Sequence, residues 1–117
     1  MSWWKPKKRT EADIIRARAL KKTHDYLASA NDIITTMPSN FLTVTAFLTG
    51  LREAKKFLKL IGDKKYISIL DGIIGKVENL SRRGSTLNYE DILGETKVIE
   101  RELLDLRTSI MDEYKTL

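Results

Sequence analysis

Across residues 88–117 the apolar positions recur every seven residues with hardly a slip. Ile92, Thr96, Ile99, Leu103, Leu106, Ile110 and Leu117 occupy a and d places of a heptad, and only Thr96 and Glu113 weaken the seam. Leu93, Leu104 and Met111 widen the stripe, so other helices, and not a single coiled-coil partner, have to cover it.

The rest of the chain divides into three shorter periodic stretches. Thr10 followed by Asp13 predicts a helix start, and the helix runs over residues 10–35 with a stripe of Ala17, Leu20, His24, Leu27, Ala30 or Asn31, and Ile34, preceded by Ile14 and Ile15. Pro38 breaks it. A second helix over 40–61 presents Val44, Phe47, Leu48, Leu51, Ala54, Leu58 and Ile61, with Gly50 placed for a close crossing and three threonines weakening its first half. Gly62 as C-cap and Asp63 as N-cap separate it from a third helix over 64–82, whose two apolar faces predict the most buried helix of the set. Gly72 and Gly75 there fit close helix packing better than a phosphate loop, since no strand precedes them. Gly84 caps this helix, and Asn88 opens the fourth over 88–117, with Leu87 stapled to Ile92.

Residues 1–9, MSWWKPKKR, cannot form a helix interior around Pro6 and read as an arm ordered by contact. The expected fold is therefore one all-α domain: a four-helix bundle over 10–117, mostly antiparallel with short loops, behind a basic aromatic N-terminal arm. A chain of 117 residues buries a real core without staples. It has no cysteine, which excludes disulfides, thiolate metal sites and cysteine nucleophiles. The start lacks a secretory signal and no apolar run reaches the roughly 18–20 residues of a membrane span, so a soluble protein is expected, cytoplasmic or within a particle.

Charge changes the picture. The net charge is +5, and residues 1–22 carry eight basic against two acidic side chains, while the stretch from Gly84 onward carries four against eight. Such polarity predicts a polyanionic partner or head-to-tail self-association. The cations expected to meet nucleic-acid phosphates are Lys5, Lys7, Lys8, Arg9, Arg16, Arg18, Lys21 and Lys22, with Trp3 and Trp4 stacking on bases or anchoring. Arg52, Lys55, Lys56 and Lys59 form a secondary basic face expected to border the first helix's basic half, and Arg82 and Arg83 add charge at a bundle end.

Catalytic chemistry would have to use His24, the one histidine. Arg18 lies six residues before it, a spacing that resembles the arginine-to-histidine element of helical HEPN ribonucleases. That resemblance implies ribonuclease activity, but it covers seven residues, lacks the polar residue that usually follows the arginine, and lies in the first helix where the family places it later. A partly buried histidine bonded to a neighbour fits the stripe better. A di-metal site would want Glu-x-x-His pairs, which are absent, and no cofactor motif occurs. The expected function is a non-catalytic nucleic-acid-associated protein of packaging, coat or architectural type, of viral or plasmid setting, binding without sequence preference. The alternatives are a homo-oligomeric or adaptor assembly module, and peripheral attachment to an anionic membrane through the Trp/Lys arm.

Overall fold

A computed structural model describes residues 10–117. It consists of four α-helices: α1 (Glu11–Ile34), α2 (Val44–Leu60), α3 (Lys64–Arg83) and α4 (Tyr89–Thr116), with no strand among the described residues. A 3-10 turn, Phe41–Thr43, leads into α2, and another, Gly84–Thr86, follows α3.

Each boundary has a local chemical cause. The Asp13 amide donates to the Thr10 hydroxyl at 3.1 Å while the Thr10 amide donates to the Asp13 carboxylate at 3.3 Å, a reciprocal box that satisfies two otherwise orphaned donors. After α2, the Asp63 amide donates to the Leu58 carbonyl and the Gly62 amide to that of Lys59, both at 3.1 Å. This pair of bonds closes a helix through a left-handed residue, and Gly62 has φ 63°. The Asp63 carboxylate then accepts from the Tyr66 amide at 2.9 Å and starts α3, and the Asn88 side chain accepts from the Asp91 amide at 2.8 Å to start α4.

The second helix begins later than its 40–61 pattern predicts. Thr43 turns its hydroxyl back onto the Asn40 carbonyl at 2.8 Å, and neither Ser39 nor Asn40 supplies a side-chain cap, so the entry tightens to 3-10 geometry. Met37, inside the preceding turn, is completely buried and ties that turn to the core.

α1 packs on α2 and α4, and α3 packs on the same two helices; the α1/α2 contact is the most extensive. The start of α1 meets Asp63 and the end of α4 through Arg16, and the end of α3 meets the first turns of α4 through Arg83 and Glu95. The heptad of α4 is buried as read: Ile92, Thr96, Ile99, Leu103, Leu106 and Ile110 all lie inside. Their flanks face different neighbours. Glu95 and Glu102 reach α3, whereas Arg107 and Met111 share a recess with His24 of α1.

Three packing expectations are corrected. On α1, Thr23 and not His24 takes the buried slot, because its hydroxyl closes onto the Ala19 carbonyl at 2.8 Å and needs no other partner; His24 is left on the flank and Ile14 and Ile15 stay exposed. The second apolar face of α3 is not wholly buried: Tyr66, Ile73 and Leu80 lie inside, but Ile69 is 42% exposed beside α4. The glycines of α3 do not mediate close packing either: a methyl group at Gly72 or Gly75 would meet nothing within 4 Å. At Gly50 an added Cβ would stand 3.6 Å from that of Ala30, an ordinary contact across the α1/α2 crossing; the tight approach lies at Gly84, where it would run into the Phe41 ring. Gly84 itself is right-handed (φ −55°), so it is glycine for space and not for a left-handed cap.

Candidate nucleic-acid interface

The buried positions of α1, among them Ala17, Leu20 and Leu27, set which way the helix faces and thereby sort its four cations. Arg16 turns toward the bundle end, where its guanidinium donates to Glu113 of α4 and, at 2.5 Å, to Asp63. Those carboxylates hold its proton more firmly than in a free arginine, chiefly through the Glu113 hydrogen bond. Arg16 is thereby occupied inside the molecule. Arg18, Lys21 and Lys22 instead line an open groove between α1 and α4, about 540 Å³ in volume, with Ile14, Ala17 and Tyr114. No carboxylate belongs to that lining. Lys21 forms an exposed pair with Asp25 at 3.1 Å, the sort of one-turn pair worth about 0.3–0.5 kcal/mol and easily exchanged for another anion. Among the described residues Arg18 and Lys22 form no ion pair.

Four of the secondary basic residues, Arg52, Lys55, Lys56 and Arg83, are paired with carboxylates. Arg52 and Lys55 reach across to α3, pairing with Glu78 at 3.6 Å and Asp71 at 2.6 Å, and Lys56 pairs with Glu53 at 2.7 Å. Beside α1, α2 also sets an aromatic ring: Phe57 stacks on Tyr26 with ring centroids 5.6 Å apart. Arg83 is held by Glu95, while Lys59 and Arg82 have no ion pair among the described residues. Trp3, Trp4, Lys5, Lys7, Lys8 and Arg9 lie outside the described residues.

Sequence reasoning missed the contribution of α4. Its net charge is negative, yet Arg107 and Lys115 line a cleft on the α1 side with His24, Leu104, Thr108 and Asp112. Tyr114 supplies an aromatic wall to the larger groove. The heptad carried the signal: Arg107 and Tyr114 fall on one flank of the a/d seam, seven apart, and Glu95 and Glu102 fall on the other. Burial, reinforced by the Arg107 charge, pushes the His24 imidazole below its ordinary pKa, so it is neutral at pH 7.

The opposite side of α4 has a different character. There a recess of about 370 Å³ runs between α3 and α4, floored by Ile69 and Ile73 and rimmed by the Lys76 and Glu102 pair and Asp105. Among the described residues no three His, Asp or Glu side chains converge as metal ligands do, and no described helix is long and apolar enough to cross a membrane.

Comparison with protein-family models, with curated proteins and with solved structures returns no match. The HEPN resemblance gains nothing from the geometry. Arg18 and His24 are about 9 Å apart along the helix axis at 1.5 Å per residue, and they line different recesses of the α1/α4 seam.

Proposed function

We propose that this protein is an antiparallel four-helix bundle that binds the phosphate backbone of nucleic acid, without catalysis and largely without sequence preference, along its α1/α4 face. The observation that carries the reading is the groove in which Arg18, Lys21 and Lys22 stand over Ile14 and Tyr114 with no acidic side chain in its walls. Cations beside an aromatic ring suit a strand whose phosphates meet the charges while a base lies against the ring. The antiparallel arrangement rests on the end contacts: Arg16 with Asp63 and Glu113 at one end, Arg83 with Glu95 at the other. Lys5, Lys7, Lys8 and Arg9 precede Thr10 in the sequence and in this reading add further phosphate contacts. A packaging or architectural role fits a small protein that reads backbone and not base edges.

The test is binding to single-stranded RNA, duplex DNA and anionic vesicles at two salt concentrations, with the full chain and with residues 1–9 removed. The expected result is affinity for a nucleic acid that falls steeply with salt and is weakened, not abolished, by the deletion. Absence of salt-dependent binding to either nucleic acid overturns the reading. Vesicle binding lost on deletion replaces it with membrane attachment, and a ligand-free rise in mass with concentration replaces it with self-assembly.

A further inference from the structure

The cleft around Arg107 is smaller than the groove and is lined by different residues. Its volume is about 240 Å³, below the roughly 300–1,000 Å³ typical of drug-sized sites, so it suits a single small group. Arg107 forms no ion pair among the described residues, although Asp112 shares the lining. Two buried nitrogens there, Arg107 Nε and His24 Nδ1, have no hydrogen-bond partner. The Asp25 carboxylate stands 3.6 Å from His24 Nδ1, beyond hydrogen-bond reach. A buried polar atom without a partner forfeits the hydrogen bond it had to water, a cost that an occupant of the cleft with acceptor oxygens would relieve.

We propose that this cleft seats one phosphate group, held by the Arg107 guanidinium, the Lys115 ammonium and the Thr108 hydroxyl, with His24 as an additional donor when protonated. The proposal rests on the backbone-binding reading above and deepens it: the seated group is one phosphate of a strand that continues from the neighbouring groove. A free phosphate ester presents the same chemistry. A guanidinium offers a planar pair of N–H donors that matches two oxygens of one phosphate, and the ammonium adds a point charge.

His24 reports on the occupant. The charged groups facing it are Lys21 and Asp25 from its own helix and Arg107, Asp112 and Lys115 from α4. In the free protein burial and the Arg107 charge keep the imidazole neutral, whereas a phosphate beside it stabilises the imidazolium and raises its pKa. By linkage, the imidazole contribution to binding grows as pH falls through that raised value.

His24 is the only histidine, so its ring proton resonances titrate alone in an NMR experiment. The full chain is titrated in chloride, in inorganic phosphate at matched ionic strength, and with a single-stranded oligonucleotide, then again as Arg107→Gln and as Lys115→Gln. The expected result is an upward pKa shift of about one unit with phosphate, reduced in both variants. Lys115 is exposed, so its variant retains the fold if Arg107→Gln does not. No shift with either probe, or a shift undiminished in both variants, overturns the seat. A shift with inorganic phosphate alongside no salt-dependent oligonucleotide binding upholds the seat and removes the backbone reading. Oligonucleotide binding with a silent His24 does the reverse.

Discussion

The Tyr66 hydroxyl donates to the Glu113 carboxylate at 2.7 Å while Arg16 donates to the other oxygen of the same group. Glu113 occupies a seam position of α4, where the heptad wants an apolar residue, and the structure shows why a charge survives there: α1 and α3 each bring it a donor. Burial and the bond to Glu113 push the Tyr66 phenol well above its usual range, so it remains a donor throughout accessible pH.

Glu113 therefore carries a pH-dependent share of stability. Its pKa is lowered, first by the Arg16 hydrogen bond and, against the cost of burial, by Tyr66. A depressed carboxylate stabilises the fold above its unfolded pKa, and the contribution is lost as pH falls through the folded value. Glu113→Gln is expected to cost about 1–3 kcal/mol at neutral pH, because it leaves Arg16 and Tyr66 less well matched. Urea denaturation across a pH series should show the gap to the parent protein closing below about pH 4.3. A gap that stays constant into acid would mean that the charge of Glu113 contributes nothing.

The glycines separate two physical roles. Gly84→Ala forces a methyl group into the Phe41 ring and is expected to destabilise by about 1–3 kcal/mol, as overpacking does. Gly72→Ala meets nothing within 4 Å on an exposed helical site and should stabilise by up to about 1 kcal/mol through helix propensity. Thermal melts of the two variants, moving in opposite directions, check the assignment.

The phase of α4 is tested by two adjacent leucines. Leu103 is fully buried and Leu104 is 51% exposed. Leu103→Ala should cost about 2–5 kcal/mol, as large cavities do, and Leu104→Ala only about 0.5 kcal/mol or less. Equal losses in chemical denaturation would place the seam of α4 one residue away from its observed register.

What the sequence made legible follows the strength of each signal. The α4 seam was readable residue by residue because a sustained period leaves one solution, and Thr10, Gly62, Asp63 and Asn88 were readable because cap chemistry is local. Thr23 against His24 was not, since both flank the same stripe and the choice depends on a hydroxyl satisfying itself within its own helix. Gly84 was placed correctly for the wrong reason, because its constraint comes from Phe41, distant in sequence. Net charge per segment concealed most. It weighed Arg16 with Arg18 although carboxylates from two other elements hold the first, and it counted α4 as acidic although Arg107 and Lys115 line a cleft on the α1 side.

The distinction between held and available cations gives a graded prediction for binding. Each phosphate contact contributes about 0.7 to the slope of log affinity against log salt for single strands. Arg18→Gln with Lys22→Gln removes two cations that face the groove without ion pairs among the described residues, so the slope should shrink by about 1.4 and binding should weaken on every sequence alike. Arg52→Gln with Lys55→Gln removes the same formal charge from side chains already paired with Glu78 and Asp71. That double variant changes the overall field but no contact, and its salt slope should stay close to the parent value. Fluorescence titrations at several salt concentrations decide the matter: if both double variants lose the same slope, binding follows net charge alone and the α1/α4 groove has no special part in it.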